Sequence, residues 1–302
     1  MTDILIHLLL TIFMPPLLLG VIGKTKAAFA GRVGAPYLQP YYDIMRLLRK
    51  GSVFSDTTTW LFRAGPVVTL AAVAAATLLI PLGNHAAPVS FAGDMILFAY
   101  LFGLARFFTM TAALDTGSSF EGMGAAREAT FSCLAEPTLF FALIVLARLS
   151  NSLTLSTMLT HSSAATWFTD GAAMLLLVGA LFTVVLVENS RIPFDDPNTH
   201  LELTMVHEVM VLDHSGPAFG YILYGAALKL FVLLTFFIQV ALPLRAGNDL
   251  LDWLVYVASL LLAAVAIGVV ESVMARLRLL RIPQLLVAAC ILSAFAMLLI
   301  LR

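Results

Sequence analysis

Eight long apolar segments constrain this chain more than any other feature of its sequence. Each is long enough to cross about 30 Å of hydrocarbon as a helix, and each is too continuously apolar for a strand of a closed barrel. Only 12% of the residues are charged, against about 25% in a soluble domain. We therefore predict one integral membrane domain over residues 1–302, an all-α polytopic bundle of about eight helices at 4–23, 64–82, 95–115, 125–147, 171–188, 218–244, 253–272 and 284–301.

The lysine and arginine residues outside these segments indicate how the bundle lies in the membrane. If the N-terminus is outside, eleven of them fall in cytoplasmic loops and three fall on the outer side, so we predict both termini outside. The first segment could be mistaken for a signal peptide, but Lys24 and Lys26 follow it instead of preceding it, which is typical of a retained span. The outer loops are short, so we expect function in the cytoplasmic loops 24–63, 115–127, 188–216 and 271–283.

Charged side chains also lie within or at the ends of the predicted spans, where each costs at least about 2.5–3.5 kcal/mol at mid-depth. They are Arg106, Asp115, Arg127, Glu128, Glu136, Glu188, Lys229 and Glu271. Two interpretations remain open. In one, the charges form salt bridges that join helices, with Arg106 or Arg127 beside Glu128 or Glu136. In the other, some carboxylates face a hydrated cavity and relay protons, which suits Glu136 and Glu188 best because Pro137 should kink the helix beside Glu136.

The loop at 188–216 carries an excess of acidic residues on the side of the membrane that should be basic. These acids form either a solvated surface or a charged funnel into the bundle, and they include Glu188, Asp195, Glu202 and Glu208. Asp196-Pro197 predicts the start of a short interfacial helix that continues to about residue 210. On that helix His200 and His207 would lie about 10 Å apart, too far to share one zinc ion, so His207 is a candidate proton carrier.

The loop at 24–63 predicts a second interfacial helix after Pro40, because apolar Ile44, Leu47 and Leu48 alternate with basic residues there. This helix is either an anchor at the membrane surface or a docking surface for a soluble partner. The candidate docking residues are Arg32, Gln39, Asp43, Arg46 and Arg49.

The composition also excludes several classes of site. Cys133 and Cys290 are far apart in apolar segments, so the chain has no zinc or iron–sulfur spacing and we expect it to bind no cofactor of its own. The net charge of −1 gives no basic surface for nucleic acid.

Four motifs resemble those of the respiratory complex I subunit 1 family. They are Gly31-Arg32-Val33-Gly34-Ala35-Pro36 with Gln39-Pro40 and Asp43, Gly124-Ala125-Ala126-Arg127 with Glu136-Pro137, Glu188-Asn189-Ser190-Arg191-Ile192-Pro193-Phe194-Asp195, and Glu202-Leu203. Within the family, the segments 202–216 and 271–278 are similar to the membrane anchor subunit of energy-converting NiFe-hydrogenases and formate hydrogenlyase.

The resemblance implies a non-redox, ion-translocating anchor in a bacterial or archaeal cytoplasmic membrane. It implies partner subunits that hold the NiFe centre and the iron–sulfur clusters, namely hydrogenase large and small subunits and an iron–sulfur subunit, with antiporter-like membrane subunits alongside. The predicted relay and coupling residues are Glu136, Glu188, Asp195 and Glu202, followed by Asp115, Glu128, His207, Glu208, Lys229 and Glu271. Arg106, Arg127 and Arg191 are the predicted charge partners. A quinone-site subunit of a complex I-type dehydrogenase and a purely structural anchor remain the alternatives.

Overall fold

The computed structural model describes residues 2–161, 164–195, 206–244 and 247–301. Within them the chain is helical, with no strand, and two short 3₁₀ turns lie at Glu208–Val211 and Leu279–Arg281. The ten α-helices are α1 Thr2–Phe29, α2 Gln39–Leu48, α3 Trp60–Leu79, α4 Asp94–Asp115, α5 Ser119–Ser150, α6 Leu155–His161, α7 Ala164–Glu188, α8 Gly216–Ala241, α9 Asp249–Val273 and α10 Ile282–Leu301.

Eight of these helices are long and apolar enough to cross a membrane, which confirms the predicted bundle of eight spans. They are α1, α3, α4, α5, α7, α8, α9 and α10. Most begin or end a few residues beyond the apolar segment, because polar residues extend the hydrogen-bonded helix past the hydrocarbon. The largest extension is in α5, which begins at Ser119 and continues through Pro137 to Ser150.

Small residues allow neighbouring helices to approach closely. α3 packs along α4, and a Cβ atom added at Gly65 of α3 would lie 2.7 Å from the Cβ of Ala112 in α4. α1 packs along α9, where a Cβ atom at Gly268 would lie 2.7 Å from the Cβ of Thr25. Such contacts are how membrane helices gain van der Waals energy in a solvent as apolar as their own side chains.

α1 contains two consecutive prolines, Pro15 and Pro16. Proline has no backbone N–H, so the helix cannot supply donors to the carbonyl groups of Thr11 and Ile12 four residues earlier. The hydroxyl of Tyr224 in α8 lies 3.4 and 3.2 Å from these two carbonyl oxygens and shares its one proton between them. A neighbouring helix therefore supplies one shared donor in place of the two missing ones, where the bilayer offers no water.

The helix predicted after Pro40 is found as α2, which packs against α1 and α8, and its place at the membrane surface stays a prediction. It buries Ile44 and exposes Arg46, and the hydroxyl of Tyr41 donates to the carbonyl of Phe13 in α1. The face of the bundle that carries α2 and the segments after α7 and α9 is called the inner face below; it is the face predicted to be cytoplasmic.

The second predicted interfacial helix is not found in the part of it that the structure describes. Residues 206–207 precede a single 3₁₀ turn at Glu208–Val211, and residues 196–205, including Glu202, lie outside the described residues. A physical reason is that the backbone N–H groups of Val206 and His207 donate to the carboxylate of Asp195, at 3.1 and 3.3 Å.

Candidate functional site

A cavity of about 410 Å³ occupies the inner half of the bundle. Side chains of α1, α3, α4, α5, α8 and α9 surround it, together with the end of α7 and the residues that follow it. Most of its wall is apolar, but ten ionisable residues line it, namely Lys26, Arg106, Glu128, Glu188, Arg191, Asp195, His207, Glu208, Lys229 and Glu271. The cavity is large enough for several water molecules.

Five charged residues from four helices meet at the outer end of this cavity. We call Arg106, Glu128, Glu136, Glu188 and Lys229 the central cluster. The Arg106 guanidinium donates to all three carboxylates, from Nε to Glu128 at 3.2 Å and from its two terminal nitrogens to Glu136 and Glu188. The second carboxylate oxygen of Glu188 lies 2.7 Å from Nζ of Lys229.

The end of α7 positions Glu188 in this cluster. Ser190 adopts a left-handed conformation with φ of 52°, and the backbone N–H of Arg191 returns to the carbonyl of Leu186 at 2.8 Å. This geometry ends the helix tightly and satisfies a carbonyl of its last turn. It also directs Arg191 back to the cavity wall that Glu188 lines.

A second group of charges lies nearer the inner face. We call Lys26, Arg191, Asp195, Glu271 and Arg276 the rim cluster. Glu271 is fully buried between Lys26 at 2.9 Å and Arg191 at 3.4 Å. Asp195 accepts from Arg276 at 2.9 Å, and the backbone N–H of Leu277 donates to the carbonyl of Pro193. These contacts join the inner ends of α1, α7 and α9.

The two clusters have opposite charge imbalances. The central cluster has three carboxylates and two side chains that are cationic at neutral pH, whereas the rim cluster has two carboxylates and three cations. His207 lies near the central cluster, with its Nε2 atom 3.5 Å from Glu128. The central cluster therefore has one carboxylate more than it has cations, and one proton added to a carboxylate would make it neutral.

A second cavity, of about 150 Å³, lies on the other side of Arg106 between α4 and α5. Arg106 and Glu188 line both cavities, whereas Glu128 lines only the large one and Glu136 only the small one. The Glu136 side chain is 46% exposed at mid-depth of a spanning helix. The central cluster is thus the junction between the two cavities.

The predicted relay and coupling residues fall into two sets. The cavity brings together Glu128, Glu188, Asp195, His207, Glu208, Lys229 and Glu271, with Glu136 on the far side of the junction. Asp115 lies elsewhere, at the end of α4, where its carboxylate accepts from Thr59 and from the backbone N–H of Phe62 and so caps α3. Their roles in a relay stay predictions.

Arg106 and Arg127 were both predicted as partners of Glu128 and Glu136, and Arg106 is the one that contacts both acids. Arg127 is half-buried on α5, beside Glu128 in sequence. Among the candidate docking residues, Arg32, Arg46 and Arg49 are exposed, and Asp43 accepts from Gln39 at 3.0 Å and Arg46 at 3.3 Å.

Sequence reasoning missed several polar residues at the site. Lys26 and Arg276 counted only as positive-inside charges, although each contacts a carboxylate of the rim cluster. Glu121 is buried in the first turn of α5 and accepts from the backbone N–H of Asp213 at 3.2 Å. The sequence did offer one indication that Glu121 is buried. It lies three residues before Gly124, and the missing side chain of Gly124 lets α5 contact Val209 and Met210.

His214 was not a candidate, and its surroundings explain why it is unsuited to carry a proton at neutral pH. Its ring stacks on that of Phe62, with centroids 3.9 Å apart and planes within 8°. Burial disfavours the charged imidazolium and lowers the pKa of His214 to about 4.

Comparison with known proteins shows the family to which this chain belongs. The sequence profile of a family described as NADH dehydrogenase matches residues 2–302. The chain belongs to the NADH dehydrogenase subunit 1 family. The predicted resemblance is therefore confirmed over the whole chain.

Individual relatives place the chain more narrowly. Formate hydrogenlyase subunit 4 of Escherichia coli K12 is 33% identical over 282 residues, covering 91% of this chain and 90% of that protein. Hydrogenase-4 component C of the same organism is 30% identical, covering 90% and 86%. A subunit of the NADH-quinone oxidoreductase of Anaplasma phagocytophilum is 26% identical, covering 62% and 58%.

A solved structure has the same fold. A chain of the membrane-bound sulfane sulfur reductase, an archaeal respiratory membrane complex, superposes with a TM-score of 0.84 at 21% identity and covers 99% of this chain and 100% of its own. This family member is thus a multi-pass membrane subunit of the kind found in hydrogenase-4, formate hydrogenlyase and complex I-like complexes.

Proposed function

We propose that this chain is the membrane anchor subunit of a NiFe-hydrogenase complex of the formate hydrogenlyase or hydrogenase-4 type. In that complex it would couple electron transfer in a peripheral arm to the movement of protons or sodium ions. The higher identity and fuller coverage of the two hydrogenase relatives, compared with the NADH-quinone oxidoreductase relative, support this branch.

The proposed partners follow from the same branch. Hydrogenase large and small subunits and an iron–sulfur subunit would form the arm and hold the NiFe centre and the iron–sulfur clusters. They would dock on the exposed basic residues of the inner face near α2, including Arg32, Arg46 and Arg49. Antiporter-like subunits would lie alongside the bundle in a bacterial or archaeal cytoplasmic membrane.

The observation that carries the coupling proposal is the excess of one acid in a cluster that separates two cavities. A charge imbalance inside an apolar bundle is costly unless a proton neutralises it. Arg106 stabilises the carboxylates that remain ionised. A proton on Glu128 would face the large cavity, and a proton on Glu136 would face the small one. Exchange between these two states moves one proton from the inner cavity toward the side of the bundle.

The proposal assigns each step to an atom of this chain. The N–H bond at Nε2 of protonated His207 breaks as an O–H bond forms on Glu128, 3.5 Å away. Neutral Glu128 holds the Arg106 guanidinium less tightly. The O–H bond on Glu128 then breaks and an O–H bond forms on Glu136, through water at the junction beside the loosened guanidinium, and Glu128 returns to its ionised state. Glu188, held by Lys229 as well as Arg106, stays ionised and keeps the guanidinium at the junction.

The test is charge neutralisation in the assembled complex. We expect Glu136→Gln to keep electron transfer to protons, measured as hydrogen evolution, and to abolish the coupled ion gradient in inverted membrane vesicles. Asp249→Asn is the control, because this acid is exposed in the first turn of α9 and lines neither cavity. Full coupling in both Glu136→Gln and Glu188→Gln would contradict the relay.

A structural anchor is the second candidate, and the pairing of the cluster carboxylates with cations favours it. On that hypothesis, neutralising one acid leaves a buried cation without its partner and prevents assembly. Native gel electrophoresis of the Glu136→Gln complex separates the candidates, since a relay variant assembles and an anchor variant does not.

A quinone site is the third candidate, favoured by the size and apolar wall of the 410 Å³ cavity, to which Ile22, Phe219 and Leu223 contribute. It predicts that quinone analogues inhibit turnover. Hydrogen evolution that is insensitive to such analogues would exclude it.

A further inference from the structure

We infer that Arg106 closes the junction between the two cavities to metal cations, and that the relay in this chain therefore carries protons and not sodium ions. The inference rests on the proposed relay function and specifies its ion. Its basis is that the Arg106 guanidinium contacts the same carboxylate oxygen atoms that a metal cation would need as ligands.

A sodium ion crossing an apolar bundle has to exchange its hydration shell for several oxygen ligands. The carboxylates of Glu128, Glu136 and Glu188 offer six oxygen atoms at the junction. Arg106 contacts one oxygen of each, Lys229 contacts the second oxygen of Glu188, and His207 lies beside the second oxygen of Glu128. Four of the six oxygen atoms therefore already contact a cationic nitrogen, and a fifth lies 3.5 Å from a ring nitrogen of His207.

Hydroxyl groups in the wall do not supply a ready replacement. Thr69 and Thr109 line the large cavity close to Arg106, and Thr109 donates its one hydroxyl proton to the carbonyl of Ala105 at 3.0 Å. Thr69 donates either to the same carbonyl or to the Thr109 hydroxyl, each 3.1 Å away. Both hydroxyls are therefore held against α4, and their two neutral oxygen atoms are fewer than the several ligands that a sodium ion needs.

Charge reinforces the exclusion. The guanidinium stays protonated at any pH that the protein meets, and the ammonium of Lys229 lies on the other side of Glu188. A metal cation at the junction would contact two like charges. A proton meets no such barrier, because it forms an O–H bond with one carboxylate and needs neither a coordination shell nor the departure of Arg106.

The test uses membranes that contain the whole complex and dicyclohexylcarbodiimide, a reagent that modifies protonated carboxylic acids in apolar surroundings. Modification of Glu136 is measured by mass spectrometry in sodium chloride and in choline chloride of equal concentration. In the unsubstituted protein we expect the same labelling in both salts at each pH.

Removing the guanidinium should create a sodium site. In Arg106→Gln, a sodium concentration about ten times the dissociation constant leaves about one site in ten free, so labelling of Glu136 should fall about tenfold relative to choline. The paired variant Arg106→Gln/Glu128→Gln keeps the net charge of the central cluster at its original value and guards against misfolding of the single variant. Arg148→Gln, exposed in the last turn of α5 and outside both cavities, is the matched control.

The outcomes separate the two proposals. Sodium protection of Glu136 in the unsubstituted protein overturns the inference, and so does the absence of sodium protection in both Arg106 variants when they are assembled. Labelling of Glu136 that is absent at every pH instead contradicts the relay. In that event radioactive sodium bound to the purified complex still decides the exclusion: sodium bound by Arg106→Gln but not by the unsubstituted protein supports it, and any other pattern overturns it.

Discussion

Glu271 offers the sharpest test of the electrostatic reasoning, because its carboxylate is fully buried between two cations from different segments. Lys26 is 2.9 Å away and Arg191 is 3.4 Å away. At an effective dielectric constant of about 20, each contact corresponds to about 5 kcal/mol of Coulomb attraction, and the desolvation of the three groups offsets much of this sum. Replacing the acid leaves the desolvation cost of the two cations without the attraction.

We therefore expect Glu271→Gln to lower the free energy of unfolding by about 3–5 kcal/mol, the usual cost of removing one partner of a buried pair. The measurement is unfolding of the purified chain in mixed micelles of increasing dodecyl sulfate content. Adding Lys26→Met to Glu271→Gln should recover at least about 1 kcal/mol, because one of the two unpaired cations is then absent.

The control is a surface pair of the same chain. The Asp43 side chain is 36% exposed and contacts Arg46 at 3.3 Å on α2, so Asp43→Asn should cost no more than about 1 kcal/mol. Equal losses in Glu271→Gln and Asp43→Asn would refute the argument that burial determines the strength of these pairs.

Three further predictions concern the inner face. Folding lowers the pKa of His214 from 6.5 to about 4, so the neutral ring makes no demand on the free energy of unfolding above pH 6.5, and this free energy should decrease by about 3 kcal/mol as the pH falls from 6.5 through 4. His214→Phe retains an aromatic ring to stack on Phe62, and unfolding of this variant measured against pH should not show that decrease. Gly124→Ala should destabilise the protein by about 1–3 kcal/mol in micelle unfolding, since its Cβ atom would lie 3.0 Å from a backbone oxygen, whereas Gly122→Ala, with open space around it, should be neutral or stabilising. Asp115→Ala should cost about 1–3 kcal/mol through loss of the α3 cap and leave ion coupling intact; a coupling defect without destabilisation would restore Asp115 to the relay.

Sequence predicts the spans well because the bilayer fixes their length and requires each backbone group to be satisfied within its own helix. The interfacial helix α2 is equally predictable, since the alternation of Ile44 and Leu47 with basic residues encodes its orientation at a surface. In both cases the boundary between lipid and water determines the structure, and the pattern of apolar and polar residues along the chain indicates where that boundary lies.

The partners within the central cluster could not be predicted in the same way. The sequence does not show that Arg106 of α4 reaches Glu136 of α5, because that contact depends on how the two helices are rotated about their axes. Arg127 lies nine residues before Glu136 on the same helix, about 13 Å away along its axis whatever the rotation. That rotation is set by packing between distant segments, as where Gly65 of α3 meets Ala112 of α4. Such complementarity involves pairs of residues that no local pattern connects.

The predicted helix after Pro197 shows a third kind of limit. The residues from Val206 onward have a suitable apolar pattern, yet the carboxylate of Asp195 takes the N–H groups that a helix would use. Asp115 behaves similarly, since it caps a helix that begins 55 residues earlier in the chain. A polar group supplied by another segment overrides local propensity in both places, and short-range reasoning does not include it.

The two prolines of α1 have a mechanical consequence. The carbonyls of Thr11 and Ile12 contact a tyrosine of α8 instead of a donor in their own helix, so α1 lacks two of its own hydrogen bonds near its middle. The part of α1 on the inner side of the prolines carries Ile22 and Lys26 in the cavity wall. A bend at Pro15 and Pro16 would therefore change the width of the cavity while the outer part of α1 keeps its place in the bilayer.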